Sequence, residues 1–364
     1  MDAATGKRGW KMRKTLLAVW VLGLLTGTVY AQTNVTVYGQ VDTGVMKETG
    51  SDTRMGNNEN SVIGFKGTED LGSGTKAVFR LEQRFNGNDG TKYSDNNALD
   101  KLQGSDGAEW QGAAYVGLAN DSVGTLTLGR VNDIAIENYG AVDPFAYFSV
   151  GIAGTGVNLL YSEQIPNTIR YDSREMAGFS VSASYTLGKD THPKGYYHAY
   201  GNDGFAVGLK YENGGFWMTA NYDRLADSDK SWLWNAGLGY TYGGVTVTAG
   251  YQGTTVKSAA ADVLEIDSNS IKQKDWIVGL VYETGPHAFK FSYNRGDLES
   301  KGDYDGNMNK YALGYTYTMS KRTSLYAIAA YTDSDNDSVG SVYNTNGAER
   351  DSVTGIQFGI NHKF

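Results

Sequence analysis

Basic side chains fall at alternate positions in three short stretches of this chain, separated by apolar or neutral neighbours. In SVIGFKGTED (61–70), Lys66 is out of phase with Ile63 and Phe65. In TKAVFRLEQRF (75–85), Lys76, Arg80, Glu82 and Arg84 alternate with Phe79 and Leu81; in TIRYDSR (168–174), Arg170, Asp172 and Arg174 alternate with Ile169 and Tyr171. A period of two puts each set on one face of an extended chain. Arg130 ends TLTLGR (125–130) at the root of a long connection and joins these candidates, although it shares the parity of Leu126 and Leu128. A file of cations along one wall performs no covalent chemistry. It supplies an electric field that orients polar solutes and biases ions passing through a narrow, low-dielectric opening.

Signals for catalysis are thin. His192, His198, His287 and His362 have no partner at ligand or triad spacing, and no nucleophile elbow or P-loop occurs. DSDND (333–337) resembles the start of a calcium loop but lacks the later ligands. No catalytic residue, metal site or cofactor is assigned.

Acids able to face the cations come from one connection, Val131 to Ile165, with Asp133, Glu137 and Asp143. It shows no sustained alternation and contains Gly140, Pro144, Gly151, Gly154 and Gly156. A connection this long inside a compact domain is usually functional, or else the elements around it are misassigned. The flanking segments are clear strands, so the loop at 131–165 is expected to fold into the lumen of a closed barrel and form its constriction. Tyr139, Phe145, Tyr147 and Phe148 are expected to pin it to the wall; a substrate-specific channel, for sugars or anions, would instead use such rings as a stacking slide.

The elements that must hold these residues are strands. Sixteen segments alternate with period two, from VTVYGQVDTGVM (35–46) to SVTGIQFGINHKF (352–364). Short turns such as ENGG, YGG and ETGPH alternate with long connections rich in Asp, Asn, Ser and Gly, the pattern of a transmembrane barrel with a turn rim and a loop rim. In Trp232, Trp234, Ala236, Leu238, Tyr240 and Tyr242 one face is apolar and bounded by aromatics, while Asn235, Gly237, Gly239 and Thr241 lie opposite. The first strand and SLYAIAAYT (324–332) have ambiguous phase, which contact with a neighbouring subunit would explain. Lys210, Lys290 and Lys310 share the inward parity.

Composition agrees. The chain has 48 glycines, 26 tyrosines, four prolines and no cysteine. Five basic residues precede the apolar run LLAVWVLGLL and a small-residue site ending at Ala31, the signature of a secretory signal peptide over 1–31, with Met12 a second candidate start. Without those residues the chain carries 27 basic and 39 acidic side chains, a net charge of −12. That sign excludes nucleic acid as the natural partner.

SVIGFKGTEDLGSGTKAVFRLEQRF, GTLTLGR, AVDPF, NTIRYDS and the terminal GINHKF closely resemble stretches of the general diffusion porins of Gram-negative outer membranes, in their neisserial-type, beta-proteobacterial branch. The resemblance spans residues 32–364. It implies an all-β fold, a 16-stranded antiparallel transmembrane β-barrel narrowed by its third external loop, assembled as a homotrimer in lipid and lipopolysaccharide. It also implies passive diffusion of ions and small hydrophilic solutes, without catalysis. Phe364, with Phe358, Ile360 and His362 in phase, resembles the C-terminal strand recognised by the barrel-assembly machinery. The chain departs from the branch at Val62, where the family often carries arginine before Ile-Gly-Phe-Lys-Gly. The pore-lining set expected from sequence is Lys66, Arg80, Arg84, Arg130, Arg170 and Arg174 against Asp133, Glu137 and Asp143.

Overall fold

The computed structural model describes residues 34–93, 108–145, 149–153, 164–188, 203–226, 231–257, 270–300, 305–343 and 349–364. The signal sequence expected over 1–31, His192, His198, Tyr147 and Phe148 lie outside them. In chain order the strands are β1 (Asn34–Glu48), β2 (Arg54–Gly56), β3 (Ser61–Gly72), β4 (Thr75–Phe85), β5 (Ala114–Asn120), β6 (Gly124–Asn132), β7 (Gln164–Ser173) and β8 (Phe179–Thr186). They continue with β9 (Gly204–Asn213), β10 (Phe216–Arg224), β11 (Trp232–Tyr242), β12 (Val245–Lys257), β13 (Ser270–Thr284), β14 (His287–Ser300), β15 (Gly306–Thr318), β16 (Thr323–Ser334) and β17 (Ser352–Lys363). Each long strand pairs antiparallel with its sequence neighbours. The ring closes where the first half of β1 pairs with β3 and its second half with β17, from Gln40↔Lys363 to Glu48↔Gly355. Sixteen long strands therefore form a closed barrel, and β2 is a short addition paired to β1 in the first loop.

The short turns follow from their residues. Gly214 and Gly215, the only residues between β9 and β10, both have positive φ (+59° and +87°), as a two-residue hairpin of the primed type demands. Gly243 and Gly244 repeat this between β11 and β12.

Alternation sorts the wall into two faces. Val116, Leu118, Leu126, Leu128, Leu238, Leu280 and Leu313 are exposed on the outside, an apolar band with no protein cover. Near the short turns Tyr282 stacks on Phe289, and Tyr315 packs against both Phe289 and His287, an aromatic girdle at that edge of the band. The opposite face carries Thr219, Asn221, Asn235, Thr248, Gln252, Asn294 and Gln357, all buried. A closed ring leaves no open edge, so each long strand has a partner on both sides and no disulfide is needed.

Several strands run further than periodicity indicates. β13 and β14 remain in register out to Ile271↔Ser300, four residues past the apolar alternation on each strand. There the outward face turns polar, with Lys272, Lys274 and Glu299, while Ile271 and Leu298 are buried on the other, so the apolar-out period is lost. The ambiguous phase of SLYAIAAYT has a physical cause inside the barrel. Tyr326, Ile328 and Ala330, on its inner face, form one apolar cluster with Phe145 and Val150 of the long loop and with Met46 and Ala312.

Candidate functional site

The connection after β6 begins with a short helix, Ile134–Gly140, capped by Asp133, whose side chain accepts from Ala135 N at 2.8 Å. The described part of the loop then runs over the inner face from β9 to β17, and glycines on that face receive it. An added Cβ at Gly208 would come within 2.5 Å of Ile134, at Gly237 within 2.5 Å of Val142, at Gly279 within 2.6 Å of Pro144 and at Gly314 within 2.5 Å of Phe145. Val150 similarly overlies Gly355 at 3.0 Å. Glycine inside a strand marks close approach of other chain, here a whole loop laid across a track of them. Polar neighbours fix its height: Asn235 Nδ2 donates to Ala135 O (3.0 Å), Thr248 Oγ1 to Val142 O (2.6 Å), and Val150 N to Gln357 Oε1 (3.1 Å). Tyr139 and Phe145 are buried and act as wall anchors.

The three expected acids serve different ends. Asp143 is buried and accepts Phe145 N and Ala153 N, both at 2.9 Å, which folds the loop back on itself. Burial pushes its carboxyl up to about 6 against the pull of these bonds and of Lys310 and Lys290. Asp133 is also buried, and burial raises it too; it hydrogen-bonds the Asp223 carboxyl on β10, a contact that requires one proton between them. Only Glu137 reaches the open lumen, where it accepts from Arg170 Nη2 at 2.7 Å.

The expected cations divide as well. Lys66, Arg80 and Arg170 lie on the inner face of β3, β4 and β7; Arg170 is buried there against the loop, bonded to Asn132 O and to Glu137. Arg80 is held by Glu82 (2.5 Å) and by the Tyr38 hydroxyl (2.7 Å). Arg170 holds two carboxylates, Glu137 and Asp172. Lys66 is exposed, and among the described residues no carboxylate lies within ion-pair distance of it. A cavity of about 340 Å³ between the loop helix and β7–β10 is lined by Glu137, Asn138, Arg170, Ser182, Lys210 and Thr219.

Three expected residues stand elsewhere. Arg84 is buried and donates to Gln164 Oε1 at 2.6 Å; Gln164 Nε2 reaches Asn132 Oδ1, so this chain of bonds joins the two roots of the long loop. Arg130 donates Nε to the carbonyls of Gln111 and Gly112. Its parity is broken by a bulge between Gly129 and Val131, with Gly129 at φ +135°, which strict alternation does not anticipate. Arg174 lies past the end of β7, exposed in the short turn and away from the loop. The first two brace the loop roots, and the third sits on the turn rim. Sequence reasoning missed Tyr38, whose inward parity and position opposite the Lys66 stretch were legible, and Asp223, whose role needs the loop in place. Asp335 and Asp337 of the DSDND stretch accept backbone hydrogen bonds from Asn307 and Asp351 within the loops.

The family model described as Gram-negative porin matches residues 18–337. The chain is 30% identical to an outer membrane porin protein of Bordetella pertussis, over 88% of this chain and 94% of that one. It is 28% identical to major outer membrane protein P.IB of Neisseria meningitidis, over 88% and 93%. The anion-selective porin from Comamonas acidovorans shares the fold with a TM-score of 0.73 at 24% identity, covering 92% of this chain and all of that one. With its closed barrel, greasy outer band and polar interior, this chain belongs to the Gram-negative porin family, on the side of its beta-proteobacterial members, and is a diffusion channel of the outer membrane.

Proposed function

We propose that the channel passes ions and small hydrophilic solutes without chemical change, with a bias toward anions set by Lys66, Arg80 and Arg170 on the inner wall, the last of them paired to Glu137 of the loop. The observation that carries this reading is a basic arc on the inner face, where Lys66 and Arg80 are register partners on β3 and β4 and Arg170 stands on β7 beside the loop helix. Anion preference agrees with the description of the Comamonas acidovorans porin as anion-selective. Most of the charge is paired, so the bias is mild: Glu82 offsets Arg80, while Glu137 and Asp172 offset Arg170, and Lys66 contributes the accessible surplus. Asp133 and Asp143 shape the loop. A non-enzymatic role follows from the same polar, water-filled plan.

The chain is exported by the signal peptide expected over residues 1–31, is inserted through its terminal strand ending in Phe364, and forms a homotrimer in lipid and lipopolysaccharide. The uncovered apolar face of β1 and of β5–β6 supports both lipid contact and trimer contact.

The test is conductance of the purified protein in a planar bilayer under a salt gradient. Steps in groups of three and a reversal potential of the anion-selective sign are expected. A protein that inserts and conducts with cation preference removes the basic arc as the source of selectivity.

A further inference from the structure

Lys66 and Arg80 are register partners on β3 and β4, so two like charges stand directly opposite each other on the inner face. Such a pair repels, and long side chains relieve the repulsion by splaying apart. Tyr38 prevents this. It faces Gly64 in the β1–β3 register, and its ring occupies the space a side chain there would need: a Cβ on Gly64 would come within 2.6 Å of Tyr38 Cζ. Lys66 Nζ lies 4.9 Å and Arg80 Cζ 5.7 Å from the ring centroid, both in the range where the negative face of an aromatic ring attracts a cation. The Tyr38 hydroxyl accepts from Arg80 Nε at 2.7 Å and donates to Glu82 Oε1 at 2.8 Å. Glu82, itself buried, is tied down by Ala113 N. One uncharged side chain thus touches both cations and also the carboxylate that pairs with Arg80.

We propose that Tyr38 is a positioning residue for ion selectivity: it holds Lys66 and Arg80 together as an adjacent pair facing the lumen, and small anions gain passage from that pairing as well as from the count of charges. This rests on the basic arc being the selective element.

The experiment is the chloride-to-potassium permeability ratio from reversal potentials of Tyr38→Leu, Tyr38→Phe and Lys66→Gln, each first shown to insert and conduct in trimer-sized steps. Tyr38→Leu changes no charge, so a purely Coulombic site would not register it. Loss of the ring contact and the hydroxyl is expected to lower the ratio about two-fold or more. Tyr38→Phe retains the ring and should fall between that variant and the parent. If Tyr38→Leu fails to assemble, Gly64→Ala decides: it leaves every polar group in place but lifts the ring, and should lower the ratio in the same direction. An unchanged ratio in Tyr38→Leu, or in Gly64→Ala where that is the deciding variant, overturns the proposal. The outcome of Lys66→Gln then separates the two ideas. If Lys66→Gln shifts the ratio and the ring variants do not, the arc is selective and Tyr38 is passive. If none of them moves it, the basic arc is not the selective element.

Discussion

Arg80 and Arg170 look equivalent along the chain, each at an inward position between two lipid-facing residues, yet they hold different numbers of acids. Replacing Arg80 by Gln leaves Glu82 without its cation, while the same change at Arg170 leaves both Glu137 and Asp172 without theirs. Both variants should therefore move permeability toward cations, Arg170→Gln further than Arg80→Gln, and reversal potentials in the opposite order would show that these carboxylates do not reach the ion path. Arg84→Gln should leave selectivity close to the parent and act on the loop roots, since the Arg84 side chain is spent on Gln164. The inward face of Lys66, Arg80 and Arg170 was legible because apolar and charged residues alternate without interruption. Their partners were not, because Glu137 arrives from a loop more than thirty positions from Arg170 and Tyr38 arrives from β1. Periodicity reports a face and is silent about who meets it.

At the scale of elements, the loop and the glycine track define each other. A larger side chain at Gly314 would occupy the site of the Phe145 ring, so Gly314→Val should lift the loop and raise single-channel conductance; an unchanged conductance would mean that the loop does not set the waist. Burying a phenylalanine stabilises by about 1.5–3 kcal/mol, so losing that contact is enough to shift a docked loop. Acidity should act on the same contact. Asp143 holds its proton more tightly in the docked loop than it would in water, so an undocked loop binds fewer protons in mildly acidic solution. Docking is then strongest at low pH and weakens as pH rises through about 6. Open-channel current noise should grow between about pH 4 and about pH 6.5, and a flat profile over that interval would remove Asp143 from the control of docking. That a long insertion belonged inside was legible from its length and from the strands around it. Its path was not: glycines on the inner face of β9, β11, β13, β15 and β17 are scattered through the sequence and become a track only when the strands are laid side by side.

For the molecule as a whole, the two faces of the wall answer to different solvents. Leu313 is 63% exposed on the outside of β15, and Thr316 lies on the inner face of the same strand. Leu313→Lys should cost about 2–4 kcal/mol if that position lies near the bilayer midplane, whereas Thr316→Lys should be tolerated in the wet interior. Urea unfolding in lipid vesicles reads the difference, and equal losses would contradict the lipid assignment of the outer band. The barrel itself was largely visible in the alternation, because a wall with oil on one side and water on the other writes its period into every strand. The position of the seam carries a further meaning. Asp42 on β1 accepts from Asn361 on β17 across 319 positions of chain, and the Phe364 ring packs onto Gly39 at the same join. The second half of β1 has its long-strand partner only in β17, at the far end of the strand order. Until β1 and β17 meet, the chain is an open sheet with two unpaired edges, so closure is a single late event: no part of the ring is sealed before both of its ends are present.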